Sequence, residues 1–105
     1  MKNLKQETIK ILNEHGKTES DVLWIGTEWA TIPINTFWEV ADREYHDGYG
    51  GAEVNTCLKV VGNDWWLERG VYDGSEWWEF KTMPPRPLTG AEEEPLKFVF
   101  EPYYL

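Results

Sequence analysis

"GNDWWLERGVYDGSEWWEFKT", residues 62–82, carries two turn signals and four tryptophans in two doublets. Gly62-Asn63 offers a two-residue hairpin turn with glycine first, and Asp73-Gly74 is a strong hairpin pair. Counting back from the first turn pairs Val60 with Trp65, Leu58 with Leu67 and Thr56 with Arg69. Counting from the second pairs Val71 with Glu76, Arg69 with Trp78, Leu67 with Phe80 and Trp65 with Thr82. Side chains alternate between the faces of a strand, so both turns can be tested against one inside and one outside. They agree. The inner face collects Leu58, Val60, Trp65, Leu67, Val71, Trp78 and Phe80, with Arg69 near its end; the outer face collects Cys57, Lys59, Trp66, Glu68, Trp77, Glu79 and Lys81. A one-residue slip in either turn would mix Leu and Val with Lys and Glu. The expected centre is a three-stranded meander over about 54–61, 65–72 and 75–82, with each tryptophan doublet split between the two faces.

Upstream, residues 3–15 read as a helix: Leu4, Thr8, Ile11, Leu12 and His15 share one face, and Gly16 supplies a left-handed stop. His15 sits in the last turn, where its charged form suits the helix dipole, a structural role. "DVLWIG", residues 21–26, is a short buried-strand signal closed by glycine. "EWATIPIN" contains Pro33 and reads as a connector or edge segment. A second helix follows in "NTFWEVADREYHDG", with Thr36 and Glu39 at capping-box spacing, Phe37, Val40, Ala41 and Tyr45 as its apolar stripe, and Gly48 as its stop. The tail runs extended through its prolines, and the alternation of "LKFVFE" suggests a C-terminal edge strand near 96–101. The expected fold is α+β: two helices packed on a small antiparallel sheet.

At 105 residues the chain suits one domain, 1–105, with a core that needs no metal or disulfide staple. Cys57 has no partner for an internal bridge, which fits a reducing, cytoplasmic setting. The N-terminus is too regularly charged for a signal peptide, and no run approaches a membrane span, so no membrane partner is expected. The net charge is −9, unevenly placed: four Lys oppose three Glu in residues 1–20, leaving six basic and sixteen acidic side chains, a charge of −10, in 21–105. Such a field repels nucleic-acid phosphates and attracts basic surfaces. Direct nucleic-acid binding is therefore not expected.

The other constellations are weak. "HDGYGG" lacks the Lys-Ser/Thr of a phosphate-cradling loop. Asp42, Glu44, His46 and Asp47 are metal-capable types, but their spacing matches neither zinc nor calcium patterns. The register places no histidine beside Cys57, and "AEEEP", 91–95, is a solvated acidic loop. No cofactor, metal or catalytic residue is expected.

On the outer face the derived register makes three rows: Lys59, Trp66 and Lys81; Cys57, Glu68 and Glu79; Gly70 and Trp77. Lysines flanking an indole give cation-π contacts, and Trp77 over a glycine covers bare backbone. The middle row is anomalous, because directly opposed like charges destabilise an antiparallel pair. Neighbouring Lys59, Lys81, Arg43 or Arg69 and water would compensate it. The sharper reading makes Trp66, Glu68, Tyr72, Trp77 and Glu79 a partner-binding patch that receives a basic side chain. A carboxylate pair about 5 Å apart also suits a retaining glycosidase, but a flat face gives no cleft and nothing splits the two carboxyl pKa values. The chain is read as non-enzymatic.

At "DVLWIG", "DGYGG" and "GNDWWLERGVYDGSEWWEFKTMPPRP" the chain resembles small uncharacterised proteins encoded by bacterial phages and prophages. The resemblance spans residues 3–86 and brings no activity or site residues with it. It implies a setting in which small acidic proteins bind and inhibit a host factor, nucleic-acid-binding defence proteins included. Three readings follow. The first is a protein that inhibits or modulates a basic protein partner, through carboxylates meeting Arg and Lys around aromatic anchors, with imitation of a phosphate backbone as one form of it. The second is a small-ligand module stacking a sugar or nucleotide on its indoles. The third is self-association into a homo-oligomer through the exposed aromatic face.

Overall fold

The computed structural model describes residues 1–46, 48, 50–87 and 94–101. Within them the fold is α+β. Strand β1 (Lys2–Asn3) leads into helix α1 (Leu4–Glu14), a 3-10 turn (Glu19–Asp21), β2 (Trp24–Gly26), β3 (Thr31–Ile32), helix α2 (Ile34–Ala41), β4 (Glu44–Tyr45), β5 (Lys59–Val61), β6 (Trp65–Tyr72), β7 (Ser75–Thr82) and helix α3 (Pro95–Val99). β1 pairs with β4, and an antiparallel five-stranded sheet runs in the order β3-β2-β5-β6-β7.

The second hairpin has the expected register, from Val71 opposite Glu76 to Trp65 opposite Thr82. Its turn residues Asp73 and Gly74 both take positive φ, 49° and 82°, as the mirror-image hairpin turn requires. The first hairpin is displaced. Lys59 faces Glu68, Val60 faces Leu67 and Val61 faces Trp66, because the turn falls on Asn63-Asp64 and Asp64 takes the left-handed conformation at φ 65°. Aspartate tolerates that conformation. Gly62 stays in the ladder, its amide donating to the Trp65 carbonyl at 2.9 Å. A Cβ on Gly62 would stand 2.0 Å from the Trp65 indole, so the ring lies directly across the glycine. The shift moves partners by two residues, and inside and outside are therefore preserved.

The meander's first strand is also shorter than the expected 54–61. Asn55 ends it locally: its side chain accepts the Cys57 amide at 2.9 Å and its carbonyl accepts the Leu58 amide at 3.1 Å, a turn that competes with strand pairing. α2 begins at Ile34, earlier than the Thr36 cap, because Pro33 already holds a helix-entry geometry and its carbonyl closes the first turn on Phe37 at 3.0 Å. The helix ends at Ala41, so its buried side is Phe37 and Ala41, while Val40 is exposed. Tyr45 is buried from β4 instead. Residues 96–101 do not form an edge strand. Glu94 caps α3 by accepting from the amides of Leu96 and Lys97, and Pro95 occupies the first turn, a combination that starts helices. The rest of the expected acidic loop, residues 91–93, lies outside the described residues.

α1 and α2 touch each other and lie on the inner face, α1 against β7 and α2 against β2. Their core with the sheet is Leu12, Val22, Ile25, Phe37, Ala41, Val60, Trp65, Leu67 and Trp78. Leu67, the central residue of that face, is fully buried, which contributes about 1.5–3 kcal/mol of transfer free energy. Polar groups aim α1: the Trp78 indole donates to Thr8 Oγ1 at 2.8 Å, and that hydroxyl donates to the Leu4 carbonyl at 2.7 Å. His15 stacks on Phe80 with centroids 4.1 Å apart while its Nδ1 meets the Ile11 carbonyl at 3.0 Å. It serves structure, as its place in the last turn implied.

Where the inner face leaves the helices, it becomes ionic. Val71 is 46% exposed there, but Arg69 and Glu76 are buried. The Arg69 guanidinium donates to Glu76 at 3.0 Å, to Glu7 at 3.3 Å and to the Tyr45 hydroxyl at 3.2 Å, and lies 4.7 Å from the Trp78 ring centroid. Tyr45 donates its hydroxyl proton to Glu7. Glu76 also accepts the backbone amides of Glu53 at 2.7 Å and Val54 at 3.1 Å. Burial, followed by the hydrogen bond to Glu7, raises the Tyr45 phenol above its ordinary value of 10.0.

Two outcomes follow. Arg69→Met leaves two carboxylates at a buried site without their cation and should cost about 3–5 kcal/mol in urea unfolding; an unchanged midpoint would mean that the cluster is not holding the fold. Because the folded phenol is raised above its unfolded value, its contribution is complete below about pH 10 and is lost as pH rises towards the folded value. Urea midpoints should therefore fall above about pH 10 more steeply in the wild type than in Tyr45→Phe.

Candidate functional site

The outer face of the sheet is built by the side chains that alternation turns away from the helices. The corrected register gives it two long rows. One runs Trp24, Val61, Trp66, Lys81 from β2 to β7; the next runs Thr31, Gly26, Lys59, Glu68, Glu79 from β3 to β7. Beyond them Gly70 faces Trp77, and Tyr72 faces Ser75 at the turn.

All five residues proposed from sequence lie on this face. Trp66, Glu68, Trp77 and Glu79 are half-buried and Tyr72 is 77% exposed. Their mutual arrangement differs from the derived one. Lys59 sits opposite Glu68 instead of beside Trp66, and Cys57 is an exposed loop residue outside the ladder. The opposed carboxylates are thus relieved within the face. Trp66 donates its indole N–H to Glu68 at 2.7 Å, a same-strand contact two residues apart, and Lys81 reaches Glu79 at 3.5 Å. The second pair is about 40% exposed on both sides, with side-chain accessibilities of 44% and 39%, and pairs so placed contribute little to stability.

Trp77 covers Gly70 as expected. A Cβ there would meet its Nε1 at 2.5 Å, its Cε2 at 2.6 Å and Glu79 Oε1 at 2.7 Å. Gly70 therefore lets the ring lie flat on the backbone and brings Glu79 beside it. Trp24, read from sequence as part of a buried strand, is an additional member of the face at 39% exposure. Its partner on β5, Val61, lies 37 residues further along the chain, so no local turn could place it. Trp29, at the tip between β2 and β3, is 77% exposed.

The inner cluster of Glu7, Tyr45, Arg69 and Glu76 was not anticipated as a unit. Among the described residues, no group of three His, Cys, Asp or Glu side chains could hold a metal ion. Asp42 accepts from the Asn3 amide side chain at 3.1 Å, and Asp47 lies outside the described residues. No helix among the described residues is long and apolar enough to cross a membrane. Compared with models of protein families, with curated proteins and with solved structures, the chain matches none.

What the outer face offers is a broad aromatic surface with charge of both signs between its rings. Aromatic anchors of this type dominate binding energy at protein interfaces. Gly70→Ala should lift Trp77 off the backbone. Acrylamide should then quench tryptophan emission more strongly than in the wild type, with the added component lost in Gly70→Ala, Trp77→Phe. Unchanged quenching would show that the ring does not rest on the glycine.

Proposed function

We propose that this is a non-enzymatic binding protein whose outer sheet face engages a basic protein partner and modulates or inhibits it. The observation that carries the reading is the coincidence, on the sheet face opposite the α1–α2 layer, of Trp24, Trp66, Trp77 and Tyr72 with Glu68 and Glu79. Exposed aromatic surface of this kind marks interaction sites on monomers. The net charge of −9 steers basic partners towards the chain. The exposed Lys81–Glu79 pair is a contact that an incoming arginine can replace with a bidentate one.

Recognition of a protein surface accounts for this face better than imitation of a phosphate backbone. Imitation needs carboxylates free of cations, whereas Lys59 stands in the row of Glu68 and Glu79, and Lys81 reaches Glu79 from the row beside it. In a phage or prophage setting, the partner would be a basic factor of the bacterial host cell.

The test is capture of a partner from bacterial extract by the full chain, followed by titration with the purified partner. Trp66→Ala, Trp77→Ala should weaken binding by 2 kcal/mol or more, about thirty-fold, as loss of aromatic anchors does. Rising salt should slow association. A partner that binds the double variant as well as the wild type would place the interface elsewhere. If the only captured protein is the chain itself, and light scattering gives a dimer mass that the variant loses, the face is a self-association surface.

A further inference from the structure

A second feature lies away from the outer face: a cleft of about 530 Å³ between α2, β4 and the loop before β5. Leu4, Ile32, Phe37, Val54 and Leu58 supply its apolar lining, and Arg43, Glu44, Glu53 and Asn55 its charged and polar lining. Its volume is in the range of small-molecule sites, about 300–1,000 Å³, and so is its mixture of apolar wall with few polar groups.

The buried ionic cluster is what holds this cleft in shape. On one side Glu76 binds the amides of Glu53 and Val54. On the other, Tyr45, itself a lining residue, is tied to Glu7 and Arg69. Both walls are therefore fixed to the same guanidinium, an arrangement that preorganises a site. Glu53 is fixed at both ends. Its amide is held by Glu76, and its carboxylate Oε2 accepts the His46 amide at 3.0 Å. A carboxylate so restrained is a ready acceptor for a cation, since little rotamer freedom remains to be lost on binding.

We propose that the cleft binds a small amphiphilic cation, an alkyl or aryl amine, with its apolar body against Ile32, Phe37 and Leu58 and its ammonium group on Glu53. The charge of the site selects the sign. Glu44 and Glu53 outnumber Arg43 in the lining, all three residues being exposed, and the chain as a whole carries −9. An anion of the same shape would enter a net negative field.

The test compares octylamine, 1-octanol and octanoate, which share one chain and differ in head group, by titration calorimetry and by amide NMR shifts on the full chain. The expected order of affinity is octylamine, then octanol, then octanoate, with shifts at residues 53–58 and along α2. Glu53→Gln keeps an oxygen for the His46 amide and should weaken octylamine about ten-fold while leaving octanol unchanged. Val40→Trp, at the exposed rim, should narrow the mouth and weaken both. Octanoate binding as tightly as octylamine would overturn the proposal, as would the absence of shifts around the cleft with all three probes. The comparison of the three probes on the wild type decides the question even if a variant fails to fold.

Discussion

The Arg69 guanidinium is the constraint on which the rest of the structure depends. It draws together α1 through Glu7, β4 through Tyr45, β7 through Glu76, and, by way of Glu76, the loop at Glu53 and Val54. α1 and β7 are also anchored in the main core through Leu12 and Trp78, but β4 and the loop at Glu53 and Val54 supply no residue to that cluster. A buried ion group of this type gives little net stability compared with packed hydrocarbon. Its value here is geometric. Each of its hydrogen bonds has one length and direction, so the loop before β5 and the short β1–β4 pair are held in one position that apolar contacts would leave loosely defined.

The two faces of the sheet then serve different ends. The inner face is apolar beneath α1 and α2 and ionic beyond them, and it organises the molecule. The outer face carries rings and charges in alternating rows without a helix of the α1–α2 layer over it. The same alternation of strand side chains produces both. Each tryptophan doublet contributes one ring to either side: Trp65 and Trp78 to the core, Trp66 and Trp77 to the outside.

Much of this was legible in the sequence where turn chemistry was local. Asp73-Gly74 admits one register, and all eight pairs from Tyr72–Ser75 to Trp65–Thr82 follow from it. Gly62-Asn63 was ambiguous. Glycine at the turn and glycine under an indole are both favourable, and the contact with Trp65 decides for the second. The outer-face residues survived that error because a shift of two preserves parity, but Lys59 changed neighbours. The ionic cluster was half visible. The second hairpin's register puts Arg69 and Glu76 diagonally across the inner face, within reach of long side chains, whereas Glu7 and Tyr45 arrive through tertiary contacts that no periodicity encodes. The tail failed for a different reason: "LKFVFE" alternates like a strand, but Glu94 and Pro95 just before it form a helix start, and local capping won over pattern.

Gly62 beneath Trp65 and Gly70 beneath Trp77 form two matched pairs, the first on the inner face of the first hairpin and the second on the outer face of the second. Neither member of a pair is free to vary alone. A methyl group on the glycine evicts the ring, and a smaller ring leaves backbone uncovered. Divergence at these four positions must therefore proceed by paired exchanges, so in any set of related sequences residue 62 should co-vary with 65 and residue 70 with 77. Strong covariation at 62 and 65 with drift at 70 and 77 would mark a lineage that kept the fold while changing what its outer face meets.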